Sequence, residues 1–294
     1  MPERARPGDT VSPSPDGAGE AVSSGSLTVI GTGIRTVGQL TTEAIACMQQ
    51  ADELLHLVSD PIAEAVIKRL KPGREISLNG FYGEGKQRIE SYNEMVEYIL
   101  SRVRSGANVC AAFYGHPGVF AFPSHESIRR ARAEGFPARM VPGISAEDCL
   151  IADLGIDPAV NGCQSYEATD FLMNARLIDP SSQLILWQAG ALGDWTFQTR
   201  GYDLKALPLL VEKLLTLYPP DHEVVVYEGA IFPGCASVIN PVCLSELASK
   251  HLSPASTLYL APATQAPLDD RYAAQLFRQA TEGPLIVGNA DPGG

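Results

Sequence analysis

The sequence predicts an α/β protein of two domains, and three observations carry the prediction. Its 294 residues suffice for one large or two medium domains, and 45% of them are apolar, enough for a sizeable core. Short apolar runs at 27–30, 53–58, 75–78, 109–113 and 138–141 alternate with helical segments across short loops, the pattern of a parallel sheet. Beyond residue 157 the strands are separated by hairpin-like and helical segments, which suggests a mixed sheet. The expected division is 1–25 as a disordered tail, 26–157 as an N-terminal α/β domain, 158–265 as a C-terminal α/β domain, and 266–294 as a helix and tail.

Residues 1–25 are rich in Pro, Ser, Gly and charge and offer hardly an aliphatic to bury. Structure is expected to start at Leu27-Thr-Val-Ile30, a buried strand ending in Gly31-Thr-Gly33. A dinucleotide fingerprint would need a third glycine at Thr36, and its absence counts against a nicotinamide dehydrogenase. A helix from Thr42 to Ala51, a strand from 53 to 58 and a helix from Pro61 to Leu70 follow, with Pro61 suited to the first helical position. The loop Asn79-Gly-Phe-Tyr-Gly-Glu-Gly85 is too glycine-rich to be packed structure. Ile89, Tyr92, Val96, Ile99 and Val103 then recur at helical spacing, which puts Arg88 and Tyr92 on one face near that helix's N-terminus.

Val109 to Phe113 reads as a buried strand that Tyr114-Gly-His-Pro-Gly118 cannot continue. Ser124 is the expected N-cap of a helix from Glu126 to Glu134. Ala138 to Val141 is a further strand, broken by Pro142-Gly143, after which Ser145 and Asp148 approach a capping box. These two loops are read as leaving neighbouring strand ends, each feeding a helix N-terminus, where parallel sheets place ligands. Asp157 to Gly162 reads as a domain linker, and Ser165 to Ala168 as the start of the second sheet. Strands are expected at 183–187, 223–227 and 257–260, and helices at 204–218 and 268–280. Leu285-Ile-Val287 in the tail is unusually aliphatic, consistent with a packed strand or a substrate segment.

Several classes are excluded. A net charge of −12 and a pI near 4.9 argue against an electrostatic nucleic-acid binder. No apolar run approaches a membrane span and no apolar signal region opens the chain, so the cytoplasm is expected. Six scattered cysteines without a Cys-x-x-Cys pair, and five dispersed histidines, point to free thiols and no metal.

Four ordered stretches carry a resemblance: 25–34 (Gly-Ser-Leu-Thr-Val-Ile-Gly-Thr-Gly-Ile), 114–120 (Tyr-Gly-His-Pro-Gly-Val-Phe), 142–150 (Pro-Gly-Ile-Ser-Ala-Glu-Asp-Cys-Leu) and 165–171 (Ser-Tyr-Glu-Ala-Thr-Asp-Phe). Pro-Gly-Ile-Ser-Ala with the later Leu-Gly-Ile-Asp looks like the second signature of the S-adenosylmethionine (SAM)-dependent tetrapyrrole methylases. His116 stands where that superfamily carries aspartate, which disfavours a porphyrin or corrin substrate. Together the four stretches resemble the borosin peptide backbone N-methyltransferases, over roughly residues 25–262.

The resemblance implies a tetrapyrrole-methylase-like fold of two α/β domains with SAM in the cleft between them. Tyr114, His116 and Val119 would line it from one loop and Ser145 and Ala146 from the next. Gln188, Tyr227, Ala230, Ser256 and Thr257 would complete it from the second domain. It implies a homodimer and a precursor peptide as partner, with no nucleic acid and no membrane. The split type, acting on a separate chain, is expected, because only 263–284 separates the last strand from the apolar tail. Tyr82, Arg88, Tyr92 and Tyr114 match the catalytic motif by order and spacing. Tyr82 is then expected to be, or to relay to, the base, with Arg88 holding it as phenolate and Tyr92 and Tyr114 orienting the amide. Two alternatives stand beside this reading: a porphyrin or corrin methylase, and a non-catalytic SAM- or peptide-binding homologue.

Overall fold

The computed structural model describes residues 25–58 and 60–281. The first half runs β1 (Ser26–Gly31), α1 (Thr36–Gln39), α2 (Thr42–Gln50), β2 (Glu53–Leu57), α3 (Pro61–Leu70) and β3 (Glu75–Ser77). It continues with α4 (Arg88–Arg104), β4 (Asn108–Phe113), α5 (Phe122–Ala133), β5 (Ala138–Val141) and α6 (Ala146–Leu154). Helices begin where side chains take up free backbone donors: Thr41 accepts from Ala44 N at 3.1 Å, and Asp60 from Ala63 N at 2.8 Å. The strands pair in the order β3–β2–β4–β1–β5, all parallel. Parallel strands require crossovers, so helices cover both faces. Met48 and Ile67 of α2 and α3 pack on Ile30 and Leu54; Val96 and Ile99 of α4 pack on Val29 and Val109.

The second half runs α7 (Pro158–Asn161), β6 (Cys163–Glu167), α8 (Ala168–Met173), β7 (Gln183–Trp187), α9 (Leu207–Leu215), β8 (Glu223–Glu228), β9 (Val238–Cys243), β10 (Thr257–Leu260) and α10 (Asp270–Thr281). Its sheet has the order β6–β7–β10–β8–β9, with β6 parallel to β7 and the other pairs antiparallel. Phe171, Leu210 and Leu214 cover one face, and Leu150 of α6 packs with Trp187, Tyr227 and Tyr259 on the other. One helix of the first half thus seals the second sheet, which fixes how the two halves meet.

The structure differs from the sequence reading in several places. β4 and β5 are not adjacent, because β1 lies between them, so three loop ends meet at the sheet edge where two were expected. Ser124 does not cap α5: the helix already starts at Phe122 with Pro123 in its first turn, and Ser124 is buried with an unpartnered hydroxyl. The 157–162 linker is a short helix capped by Asp157, whose carboxylate accepts from Ala159 N at 2.8 Å. Gly25, expected in the tail, is buried, with Val103 O only 1.9 Å from where a Cβ would stand. Residues 1–24 and Leu285–Val287 lie outside the described residues. Among the described residues no helix is long and apolar enough to cross a membrane.

Candidate active site

The site is built where β1, β4 and β5 end. Gly33 and Gly115 exchange backbone hydrogen bonds of 3.2 and 2.9 Å, which locks the first two loops together. A Cβ on Gly31 would stand 2.4 Å from Gly115 O, 2.7 Å from Pro117 Cδ and 2.9 Å from Gly143 Cα. Only glycine permits that approach. From the third loop α6 begins with a full capping box: Asp148 N donates to Ser145 Oγ at 3.1 Å and Ser145 N to Asp148 Oδ2 at 2.7 Å.

The glycine-rich loop after β3 is held at its base, where Leu78 N donates to His56 O at 2.8 Å and Asn79 Nδ2 to Val58 O at 3.1 Å. It delivers Tyr82 to the start of α4. The Tyr82 ring stacks on Phe197 (centroids 4.6 Å apart, planes at 17°) and meets Tyr92 edge-on at 6.3 Å. Arg88 donates through Nη2 to the backbone carbonyl of Asp194 and lies 5.8 Å from the centroid of the Tyr202 ring. Tyr114, at the end of β4, is 52% exposed. The structure gathers Tyr82, Arg88 and Tyr92 at the start of α4, the three that position in the chain grouped, with Tyr114, which the resemblance added, near enough to act on Tyr82 electrostatically.

Their electrostatics differ from the expectation in one respect. Burial, with the Tyr92 and Tyr114 phenols beside it, pushes Tyr82 well above the usual tyrosine value, and Arg88 offsets only a small part. Tyr114 is also raised, by burial first and then by Tyr92. Arg88 does not hold a resting phenolate on Tyr82: its guanidinium is engaged with a carbonyl dipole and an aromatic face, and the phenol stays protonated at neutral pH.

Between the two halves lies a cleft of about 570 Å³, walled by Arg88, Ile89, Tyr92, Phe120 and Phe122 on one side and by Glu167, Thr169, Gln188, Asp194 and Trp195 on the other. Its size is that of a small-molecule site. Phe120 (φ 51°) and Gln188 (φ 57°), both on this cleft, are the two non-glycine residues with positive φ among the described residues. A second hollow of about 560 Å³, lined by Arg35, Gln39, Gly143, Asp148, Cys149 and Asp153, contains none of the expected site residues, and the chemistry favours the first.

The expected cofactor residues fall into two groups. Gln188 lines the cleft, Val119 is exposed, and His116 turns its Nδ1 inward to accept from Gly118 N at 2.9 Å, which leaves Nε2 as the donor. The others have committed side chains. Tyr227 is buried and donates to Asp153 Oδ2 at 2.7 Å, and Ser256 is buried and donates to Glu228 Oε1 at 2.7 Å. Thr257 is buried, Ser145 serves the capping box, and Ala146 packs against the core of the second sheet. The backbone N–H of Ala230 donates to Ser237 Oγ at 3.0 Å. Among the described residues no group of three or more His, Cys, Asp or Glu is placed to hold a metal ion. Sequence reasoning missed Phe120, Phe122, Trp195 and Phe197. The signal available was the Phe at 197 in the polar stretch 193–203, an aromatic that a free loop leaves without a partner and that here stacks on Tyr82, whereas Trp195 stays 56% exposed.

Two packed α/β halves, a glycine corner at the strand ends and a cleft between the halves define a cleft-binding α/β protein of small-molecule type. The family profile described as Tetrapyrrole (Corrin/Porphyrin) Methylases matches residues 26–241, and the chain belongs to this family, whose methyl donor is S-adenosylmethionine. A Mycena rosella protein named methyltransferase/ribosomally synthesized type I borosin cyclic peptide precursor is 42% identical over 261 residues, 87% of this chain and 65% of its own length. A Dendrothele bispora protein named methyltransferase/ribosomally synthesized cyclic peptide dendrothelin A precursor is 43% identical over 242 residues, 81% of this chain and 58% of its own. The chain thus spans less than two thirds of these curated relatives. Among solved structures, a cobalt precorrin-4 methyltransferase of cobalamin biosynthesis superposes with a TM-score of 0.60 at 18% identity, covering 84% of this chain and 99% of its own. A uroporphyrin-III C-methyltransferase from Thermus thermophilus, complexed with S-adenosylhomocysteine, gives 0.57 at 18%, covering 84% and 100%. At that identity the likeness concerns the fold.

Proposed function

We propose that the protein methylates backbone amide nitrogens of a ribosomal precursor peptide, supplied as a separate chain. The observation that carries this is the convergence of three phenols and a guanidinium, Tyr82, Tyr92, Tyr114 and Arg88, beside a cleft of about 570 Å³. Such a set suits a nucleophile that is hard to activate. An amide nitrogen shares its lone pair with the carbonyl, so the N–H proton must leave and charge must pass to the oxygen as the N–CH₃ bond forms. SAM supplies the electrophilic methyl group.

The residues present fit that donor: the glycine corner leaves loop backbone free of side chains, and the cleft has the right volume. Gln188 would hold it from the cleft, with Tyr114, His116 and Val119 contributed by the loop that also brings Phe120 to the cleft, while Ser145, Ala146, Tyr227, Ala230, Ser256 and Thr257 would support the site from behind. Tyr82 Oη accepts the amide proton in its phenolate form. Because its pKa is raised, that form is scarce at neutral pH but is a strong base when present. Tyr92 and Tyr114 donate to the developing imidate oxygen, and Arg88 stabilises its charge. Delivery in trans is read from the short connection between β10 and the apolar tail, half of which is the 12-residue α10. The fused organisation named in the relatives makes delivery in cis the competing arrangement. A homodimer is read from the resemblance, and light scattering tests it.

The deciding experiment is the intact mass of the purified chain with fragmentation of its C-terminal peptide. It is followed by incubation with SAM, a synthetic peptide of residues 281–294 and a panel of Val/Ile/Gly-rich peptides. Methylene mass steps on backbone amides of an added peptide support the proposal. Steps on the chain's own Leu285–Val287 replace trans by cis. Binding of S-adenosylhomocysteine without methylation of any peptide overturns the enzymatic reading in favour of a binding protein.

A further inference from the structure

The second half of the chain reaches back to the first at a place that local sequence does not announce. Segment 194–199, in the connection between β7 and α9, lies antiparallel to 84–88. Gly85 N donates to Phe197 O, Phe197 N to Lys86 O and Arg88 N to Trp195 O, each at 2.8 Å, and Gln87 pairs with Thr196. Glu84 closes the ribbon by accepting from Thr199 N at 3.0 Å and Thr199 Oγ1 at 2.7 Å. A two-stranded ribbon is marginal on its own in water, so its side chains have to be part of its purpose.

Two of them touch the proposed chemistry. Phe197 lies flat on Tyr82 at 4.6 Å. Asp194 offers Arg88 its backbone carbonyl while spending its carboxylate on its own turn, accepting from Thr196 N at 2.7 Å and Thr196 Oγ1 at 2.6 Å. Among the described residues no carboxylate forms an ion pair with Arg88. A carboxylate partner would cancel the guanidinium charge; a carbonyl dipole orients it and leaves the charge to act elsewhere.

We infer that segment 194–199 is a positioning element for the reaction proposed above, with Phe197 fixing the plane and dry environment of Tyr82 and the Asp194 carbonyl aiming an uncancelled Arg88 at the peptide carbonyl. The inference rests on the Tyr82/Arg88 reading. Phe197 acts through Tyr82, so it is a positioning residue. Asp194 and Trp195 also line the cleft, so a peptide entering it touches the element that sets the base.

The test compares Phe197→Leu and Phe197→Tyr in the full chain labelled with ¹³Cζ-tyrosine, Tyr82 being assigned by Tyr82→Phe. Loss of the wall hydrates Tyr82, so its titration should fall toward the ordinary value in Phe197→Leu and return to the wild-type position in Phe197→Tyr. Methyl transfer should drop tenfold to a hundredfold in the Leu variant, the scale of a catalytic group displaced by about 1 Å, while S-adenosylhomocysteine affinity is retained. A Tyr82 titration in Phe197→Leu identical to wild type overturns the inference. Full methyl transfer by Tyr82→Phe would instead sink the parent assignment, with the titration result standing by itself.

Discussion

Tyr82→Phe isolates one oxygen. The ring keeps its stack on Phe197 at 4.6 Å and its edge contact with Tyr92 at 6.3 Å, so packing survives. What is lost is a partly buried hydroxyl with a phenol beside it, and the stability change should stay within about 1 kcal/mol. The rate should fall far more, because a positioned base contributes roughly 10²–10⁴-fold, or about 3–5 kcal/mol of barrier. The pH profile carries a second signature. Burial raises the Tyr82 pKa, so the phenol is protonated throughout neutral pH, and the phenolate fraction grows tenfold per pH unit below that pKa. Wild-type single-turnover methylation, followed by peptide mass, should therefore rise about tenfold per unit from pH 7 to 9 without a plateau, since the group titrates above about 10. The variant's residual rate should lack that slope. A wild-type profile flat across this range, or a variant within threefold of wild type, would refute the assignment. Loss of S-adenosylhomocysteine binding together with turnover would show that Tyr82 is a wall of the cofactor site.

Gly31→Ala drives a methyl group to within 2.4 Å of Gly115 O, so denaturant melts should show a loss of at least about 2 kcal/mol, and calorimetry should show weakened S-adenosylhomocysteine binding. Ser145→Ala removes the capping box of α6 and should cost about 1 kcal/mol in the same melts, with the fold intact by circular dichroism. Phe171→Ala empties a fully buried position beneath the second sheet and should cost about 3–5 kcal/mol; a loss under 1 kcal/mol would mean that the core there is looser than its packing implies.

The parts of the fold that were legible are those written in local pattern. β5, β7, α3 and β10 fall at the residues their apolar runs and caps mark out. β9 was not legible, because its burial is confined to Val242 and it carries Pro241, which suits an edge strand and hides it from periodicity. The helix expected at 204–218 shortens to Leu207–Leu215, since its ends are single turns closed by Leu207 N to Leu204 O and Leu217 N to Leu214 O. Within the site, Tyr82, Arg88 and Tyr92 could be grouped because they sit within one loop and one helical turn. Phe197 could not, since it meets Tyr82 from 115 positions away (197 minus 82) through a backbone pairing that no nearby residue specifies. The charge state of Tyr82 was beyond reach for the same reason: sequence shows Arg88 six residues on, but not that Asp194 and Tyr202 occupy it.

Phe120 and Gln188 hold left-handed backbone on facing walls of the cleft, a conformation that costs a side-chain-bearing residue about 1–2 kcal/mol. Natural drift toward glycine at either position would therefore be favoured by stability alone. It would also remove the ring that meets Trp187 at 6.1 Å or the amide that lines the cleft. A thermostability selection run without an activity screen should enrich such substitutions and return sturdier, poorer binders, so engineering of this scaffold has to hold these two positions fixed.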